Sequence, residues 1–218
     1  MNKRFLLYML FALLQLSAAA QQETLKGGEL YASNFLVNNT TRDFLYYMPM
    51  NYNDDTVFPL LILLHDENEN AKTAYKDYGV FLQAKADSFS CILVFADALQ
   101  GRWQTAAKTA AAEKDSANDI GFLIILADYF VQRYHADAAN IYMLGAGNGG
   151  EMAVRFSCIV PSKVNAVAPF TRQAANPNCN HQSKVAYMNT TPFITEQKKL
   201  STAALNAAWN FFMEHLAK

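Results

Sequence analysis

The stretch that decides the fold runs from Asn140 to Met152 and reads Asn-Ile-Tyr-Met-Leu-Gly-Ala-Gly-Asn-Gly-Gly-Glu-Met. Its first part, Ile141 to Leu144, is a continuous apolar run, which is typical of a strand buried on both faces. Glycines follow at alternate positions, and they permit a turn in which side chains would collide. The sequence therefore predicts that a strand enters a tight turn here and that a helix leaves it.

This context matches a nucleophile elbow, whose G-x-S-x-G pattern holds a serine on a strained strand-to-helix turn above the sheet. Gly145 and Gly149 occupy the outer positions of the pattern, and Gly147 occupies the central position. Because glycine has no hydroxyl, the sequence predicts an elbow that lacks its nucleophile.

Outward from this turn, short apolar runs that end in turn residues predict further buried strands. We expect an early strand at Thr41–Met48, at an antiparallel edge of the sheet. The other predicted strands cover residues 58–64, 91–96, 164–170 and 185–188.

Amphipathic stretches lie between these runs. One predicted helix carries apolar residues from Ile120 to Val131 after a cap at Asp115 or Ser116, and a last helix follows a cap at Ser201. The segment Ala106–Ala112 is interpreted as a surface helix or loop. Strands that alternate with helices predict an α/β three-layer sandwich with a mostly parallel sheet and right-handed crossovers.

The first 20 residues resemble a secretory signal peptide rather than part of the fold. Lys3 and Arg4 precede the apolar run Phe5–Leu16, and the small residues Ala18–Ala20 follow it. The run is shorter than the roughly 20 residues that span a bilayer, which disfavours the alternative of an uncleaved anchor. We expect cleavage after Ala20, a single domain from residue 21 to 218, secretion to the extracellular space or periplasm, and no membrane segment after signal removal.

Composition narrows the functional classes. The chain has 18 basic and 19 acidic residues, so it lacks the cationic surface that nucleic acid binding requires. A hydrophobic content of 52% excludes intrinsic disorder. No His, Cys and Asp cluster has metal-ligand spacing, and we expect neither a metal nor a cofactor.

Three cysteines in an exported chain suggest one bridge and one free thiol, and Cys91 lies in an apolar strand where a buried thiol is expected.

Several blocks, in the same order, resemble the secreted polyhydroxybutyrate depolymerases and feruloyl or acetyl-xylan esterases of the α/β-hydrolase superfamily. The blocks are residues 41–49, 59–65, 119–153 and 166–169, together with Ala96-Asp97 and Trp103. The resemblance implies an α/β-hydrolase fold and the chemistry of a carboxylic ester hydrolase. That chemistry requires a Ser nucleophile, an Asp, a His and two oxyanion N–H donors.

Compared with that pattern position by position, the chain is degenerate. Gly147 replaces the serine, and the strand at residues 185–188 leads into residues 189–194 without the expected Asp. The stretch that would supply the His before the last helix is missing, and neither His181 nor His215 matches its position. The resemblance therefore implies a member of the family without a catalytic triad, that is, a pseudoenzyme.

The oxyanion side is also altered. The family's His-Gly is His65-Asp66 here, while the backbone N–H of Asn148 is retained beside the nucleophile position. A carboxylate at Asp66 would oppose the stabilisation of a developing oxyanion. The resemblance further implies a disulfide between Cys158 and Cys179 in an exported chain.

The sequence thus favours an inactive α/β-hydrolase-like protein with a binding or structural role, whose ligand is a polyester, an acylated polysaccharide or a partner protein. Trp103 either lines an open depression above Gly147 and binds substrate, or packs in the core. The alternative is an active ester hydrolase with a relocated constellation. Its candidate residues are Ser157, Ser183 or Thr191 as nucleophile and His181 or His65 as base. A decayed gene product without a selected function is a third interpretation.

Overall fold

The computed structural model describes residues 25–105, 118–171, 185–193 and 199–217. Its strands are β1 Leu30–Val37, β2 Thr40–Tyr47, β3 Phe58–Leu64, β4 Ile92–Ala96, β5 Ala136–Ala146, β6 Ala166–Phe170 and β7 Ala186–Tyr187. Its α-helices are α1 Ala71–Phe89, α2 Asp119–Arg133, α3 Asn148–Ile159 and α4 Thr202–Glu214. Short 3-10 turns cover Leu99–Gly101, Pro161–Lys163 and Thr191–Phe193.

The strands form one seven-stranded sheet in the order β1-β2-β4-β3-β5-β6-β7. The first two pairings in this order are antiparallel, and the remaining ones are parallel. Helices α2 and α3 pack on one face of the sheet, and α1 and α4 pack on the other. Along β3, Ile62 points into the first core and Leu61 into the second, which explains its continuous apolar run. The predicted three-layer α/β sandwich is confirmed.

The antiparallel edge differs from the expectation. The early strand exists as β2, but β1 lies outside it and forms the edge. Asn38 and Asn39 join the two strands with φ values of 49° and 61°, as in the two-residue turns that suit hairpins. The Asn-Asn pair between two alternating runs is the sequence signal that identifies this hairpin, and β1 was missed without it.

Of the two predicted helix caps, one is confirmed and one is wrong. Ser201 caps α4 as expected, since its hydroxyl accepts the N–H of Ala204 at 3.2 Å. The predicted cap of α2 at Asp115 or Ser116 is wrong, because the Asn118 side chain accepts the N–H of Gly121 at 3.0 Å and starts the helix there.

Several sequence predictions fall outside the described residues: the signal segment 1–20, the stretch Ala106–Ala112 and Cys179. The domain bounds and the Cys158–Cys179 bridge therefore stay predictions.

Cys91 is a buried free thiol as expected, and burial raises its pKa from 9.0 to about 12 because the thiolate cannot be solvated there. In the described ranges, no helix is both long and apolar enough to cross a membrane.

Candidate functional site at the glycine-rich turn

The turn between β5 and α3 has the backbone of a nucleophile elbow. Gly147 alone joins the strand to the helix, with φ 49° and ψ −117°. Its N–H donates to the carbonyl of Phe170 at 2.7 Å, and its carbonyl accepts the N–H of Glu151 at 3.2 Å. A positive φ favours glycine at this position. The predicted strained turn is present, with no side chain at its tip.

The outer glycines allow backbones to approach one another closely. A Cβ at Gly145 would lie 2.4 Å from the carbonyl oxygen of Gly149. A Cβ at Gly149 would lie 2.2 Å from the carbonyl oxygen of Leu64, the last residue of β3. The turn is therefore packed directly against the end of the neighbouring strand, and this packing brings the residues after β3 over Gly147.

The most informative of these residues is Asp66, which is 5% exposed. Its Oδ1 accepts the backbone N–H of Asn148 at 2.9 Å and the backbone N–H of Glu67 at 2.7 Å. In an α/β-hydrolase the oxyanion hole consists of the N–H after the nucleophile and an N–H from the loop after β3. Asn148 and Glu67 hold those two places. One carboxylate oxygen of the protein itself thus sits where an oxyanion would bind.

The same carboxylate fills the volume of the missing side chain. A Cβ at Gly147 would lie 1.9 Å from Oδ1 of Asp66 and 2.2 Å from its Cγ. The negative charge is stabilised by two charge-assisted hydrogen bonds and by the positive end of the α3 dipole. The sequence predicted an open depression above Gly147, and this prediction is wrong because the Asp66 side chain occupies the space.

His65 supports this loop from within the core, where it is fully buried. Its Nδ1 donates to the carbonyl of Asp66 at 2.7 Å, and its Nε2 accepts the N–H of Ala98 at 3.0 Å. Oδ1 of Asp97 lies 3.2 Å from Nε2. Because both ring nitrogens are engaged, His65 acts as a positioning residue for the loop that carries Asp66.

Trp103 is 1% exposed and lies in the core, so it does not line an open depression. Its indole N–H donates to the carbonyl of His65 at 3.0 Å. Its backbone N–H donates to Oδ1 of Asn148 at 2.7 Å, and its carbonyl accepts from Nδ2 of Asn148 at 3.2 Å. Trp103 therefore packs in the core, where its hydrogen bonds connect the loop after β4 to Asn148, the first residue of α3.

In the described stretch around β7, residues 185–193, two polar side chains hydrogen-bond to the backbone. The buried hydroxyl of Thr190 donates to the carbonyl of Pro169 at 2.8 Å, and Oδ1 of Asn189 accepts the N–H of Thr191 at 3.1 Å. Residues 185–193 include no carboxylate and no histidine. At the end of α4, Nδ1 of His215 donates to the carbonyl of Phe211 at 2.7 Å, within its own helix.

A relocated constellation does not form among the residues that the structure describes. The Ser157 hydroxyl is buried, donates to the carbonyl of Val154 at 2.8 Å and shares a 2.7 Å hydrogen bond with the hydroxyl of Tyr187. Ser183 and His181 lie outside the described residues. Within the described ranges, no group of three His, Cys, Asp or Glu side chains could hold a metal ion.

Beside the closed turn lies a polar cavity of about 280 Å³, at the ends of β2 and β4. Asp43, Glu69, Asp97 and Gln100 are among its lining residues, together with Arg42. Arg42 is buried and pairs with Asp119 at 2.6 Å, so its charge is compensated within the protein. The cavity therefore offers several hydrogen-bonding groups and a net acidic lining.

The chain is similar to esterases. Feruloyl esterase D of Neurospora crassa is 25% identical over 200 residues, which cover 84% of this chain and 64% of that protein. The candidate esterase NocK of Nocardia uniformis subsp. tsuyamanensis is 24% identical over 119 residues, or 55% of this chain and 34% of that protein. The chain thus spans less than two thirds of the length of both curated relatives.

Among solved structures, a thermostable esterase superposes with a TM-score of 0.61 at 13% identity, over 85% of this chain and 62% of that chain. No protein-family model matches the sequence. The sheet order, the elbow and this superposition together establish that the chain has the α/β-hydrolase fold, with esterases as its similar proteins.

Proposed function

We propose that this chain is an α/β-hydrolase-fold protein without ester hydrolase activity, and that its role is binding or structural. The observation that carries the proposal is the position of Asp66. An ester carbonyl that approached the elbow would need the N–H groups of Asn148 and Glu67, which already bind Oδ1 of Asp66. Any negative charge that developed there would face a carboxylate, so the site would destabilise the transition state rather than stabilise it.

The missing groups point the same way. Gly147 offers no hydroxyl, and the chain has no histidine between His181 and His215. In serine hydrolases the loss of the serine or the histidine alone lowers turnover by about a million-fold. Here the nucleophile, the triad Asp and the triad His are absent from their places, and the oxyanion position is filled.

For the ligand, we propose an acylated polysaccharide in preference to a polyester. One relative is named a feruloyl esterase, and the polar cavity presents carboxylates and amides that can accept and donate hydrogen bonds to sugar hydroxyls. The predicted signal segment fits a protein that meets such a polymer outside the cell.

An assay for hydrolysis of p-nitrophenyl acetate and butyrate by the purified chain tests whether the chain lacks ester hydrolase activity. We expect no turnover above buffer and no labelling by a fluorophosphonate, because no activated serine is present. Saturable turnover by the chain, together with fluorophosphonate labelling, would overturn the proposal in favour of an active ester hydrolase with a relocated nucleophile. Mass spectrometry of the labelled peptide would then identify that nucleophile.

Co-sedimentation with insoluble feruloylated xylan tests the ligand, with the same xylan after alkaline deacylation as the reference. We expect retention on the acylated polymer, and we expect Asp43→Asn to weaken it because Asp43 lines the cavity. Asp55→Asn is the matched control, since it makes the same change of charge at an exposed residue away from the cavity. Equal loss in both variants, or no retention by the unmodified chain, would contradict this ligand.

A further inference from the structure

The two edges of the sheet differ in how they are protected. β7 has two residues, whereas β1 has eight and pairs with β2 without a bulge from Leu30↔Tyr47 to Val37↔Thr40. Proteins shield edge strands with short length, charged side chains, proline or bulges. β1 contains no charged residue, no proline and no glycine. Its outer edge is therefore a regular, uncharged template for another strand.

The side chains of β1 are also only partly covered. Leu36 is 71% exposed and Leu30 is 37% exposed, and Ala32 and Asn34 lie exposed on the same face between them. On the other face, Tyr31 stacks on Tyr46 with ring centroids 5.2 Å apart. The strand thus presents one exposed face with a leucine at each end and one aromatic face, along an edge that pairs with no other strand in the described part of the chain.

The sequence of this strand is nearly symmetric about its centre. From Leu30 to Leu36 it reads Leu-Tyr-Ala-Ser-Asn-Phe-Leu, with a leucine at each end, an aromatic residue next to each leucine, the uncharged Ala32 and Asn34 inside them and Ser33 at the centre. In an antiparallel pairing of two copies centred on Ser33, Leu30 lies opposite Leu36 of the second copy. Tyr31 then lies opposite the second copy's Phe35, and Ala32 opposite its Asn34. A two-fold interface requires this kind of self-complementarity, because the same patch serves both partners.

We propose that β1 is a dimerisation strand that pairs with β1 of a second copy of this chain, centred on Ser33, so that the two sheets join into one. In this register leucine lies opposite leucine, an aromatic ring opposite an aromatic ring and Ser33 opposite Ser33, and no charges are opposed at the Ala32–Asn34 pairs. The proposal is independent of whether the chain hydrolyses esters. Seven paired residues extend over about 24 Å, which is short for a stable interface, so we expect a dimer that dissociates on dilution.

The register makes a charge-swap test possible. Ala32→Lys/Asn34→Lys puts lysine opposite lysine twice across the two-fold axis, whereas Ala32→Glu/Asn34→Lys puts glutamate opposite lysine twice. Within its own chain, residue 34 lies opposite Asp43 of β2, so lysine there is compatible with the folded monomer in both variants. Val80→Lys, at an 83% exposed position on α1, controls for the effect of a new surface charge.

Sedimentation equilibrium over a range of concentrations measures the dissociation constant of each protein. We expect a reversible dimer for the unmodified chain, about tenfold or more weakening for the lysine–lysine variant, and dimerisation retained in the glutamate–lysine variant and in Val80→Lys. A chain that stays monomeric at every concentration would overturn the proposal. Equal dissociation constants for the two double variants would overturn it as well, because β1 would then not pair in this register.

Discussion

The turn after β5 and the turn after β7 are two of the places where a hydrolase of this fold keeps its catalytic residues, and they differ sharply. The first keeps the strained backbone of an elbow at Gly147, while the second has only Asn189 and Thr190 where a carboxylate is expected. The elbow is fixed by close contacts between backbones, which the packing of β3, β5 and α3 requires. The catalytic side chains have no such part in the packing. The comparison teaches that the shape of an active site can be a property of the fold, separable from its chemistry.

We expect the largest loss of stability from a substitution at the backbone contact between Gly149 and Leu64. Gly149→Ala places a Cβ 2.2 Å from the carbonyl oxygen of Leu64, so β3 or α3 must move. We expect a loss of about 4 kcal/mol in the free energy of unfolding, or failure to fold, as measured by urea denaturation. Gly150→Ala is the comparison in the same helix, because its Cβ would lie 2.9 Å from a side-chain methyl of Thr171 and no closer than 3.1 Å to a backbone atom, the carbonyl oxygen of Gly145, so we expect a smaller loss. Equal losses in the two variants would show that the elbow is not held by this contact.

Gly147→Ser tests whether the Asp66 carboxylate occupies the place of the nucleophile. The new side chain would overlap that carboxylate, and serine is also strained at positive φ. We expect about 3 kcal/mol of destabilisation, and Asp66→Gly alone should cost about 2 kcal/mol because two backbone N–H groups lose their acceptor.

The double variant Asp66→Gly/Gly147→Ser removes the overlap. We expect it to be about 2 kcal/mol more stable than the sum of the single changes predicts, with stability read from urea unfolding in all four members of the cycle. Additive effects would contradict the structural assignment of Asp66 to the nucleophile's volume.

A substitution in the turn after β7 should lower the free energy of unfolding much less. Thr190→Val removes the 2.8 Å hydrogen bond from the buried hydroxyl to the carbonyl of Pro169. We expect a loss of about 1 kcal/mol, again by urea denaturation. Thr191→Val at the neighbouring exposed position should change stability by less than about 0.5 kcal/mol. If Thr190→Val lowered the free energy of unfolding as much as Gly149→Ala, the two turns would not differ in their contribution to stability.

A pH dependence of stability is expected at the contact between α1 and the segment that leads from β7 to α4. Tyr78 accepts the N–H of Leu200 at 3.2 Å, and burial raises the pKa of Tyr78 from 10.0 to about 12. In this window the folded state holds a proton that the unfolded state releases, so stability falls as pH rises from 10 to 12. Tyr78→Phe should show a shallower decline over the same range in pH-dependent urea unfolding. An unchanged slope would mean that Tyr78 does not carry this dependence.

Much of the fold follows from local patterns. The apolar runs at β3, β4 and β5 are unbroken because both faces of a central parallel strand are buried, and Ser201 is a simple capping signal. β1 was missed because its exposure alternates at an edge, so it has no continuous run. The capping box of Asn70 and Thr73, which starts α1, is a sequence signal independent of the apolar runs.

The site was predicted in part. The elbow, the absence of a nucleophile and an unfavourable charge at Asp66 all follow from the sequence. The sequence did not reveal that Asp66 would bind both oxyanion donors, because this depends on how β3 ends beside β5, which is a long-range contact between residues 82 apart. Trp103 shows the same limit, since an aromatic residue after a strand suits a pocket and a core equally well.

The contact between Asp66 and Gly147 also has an evolutionary consequence. A serine at position 147 is penalised while Asp66 is present, and a glycine at position 66 is penalised while position 147 has no side chain. A lineage that carries this pair could acquire a serine at position 147 only through a less stable intermediate, or by both changes at once. Asp66 and Gly147 therefore constrain each other: while both are present, we expect either single substitution to lower the stability of the fold.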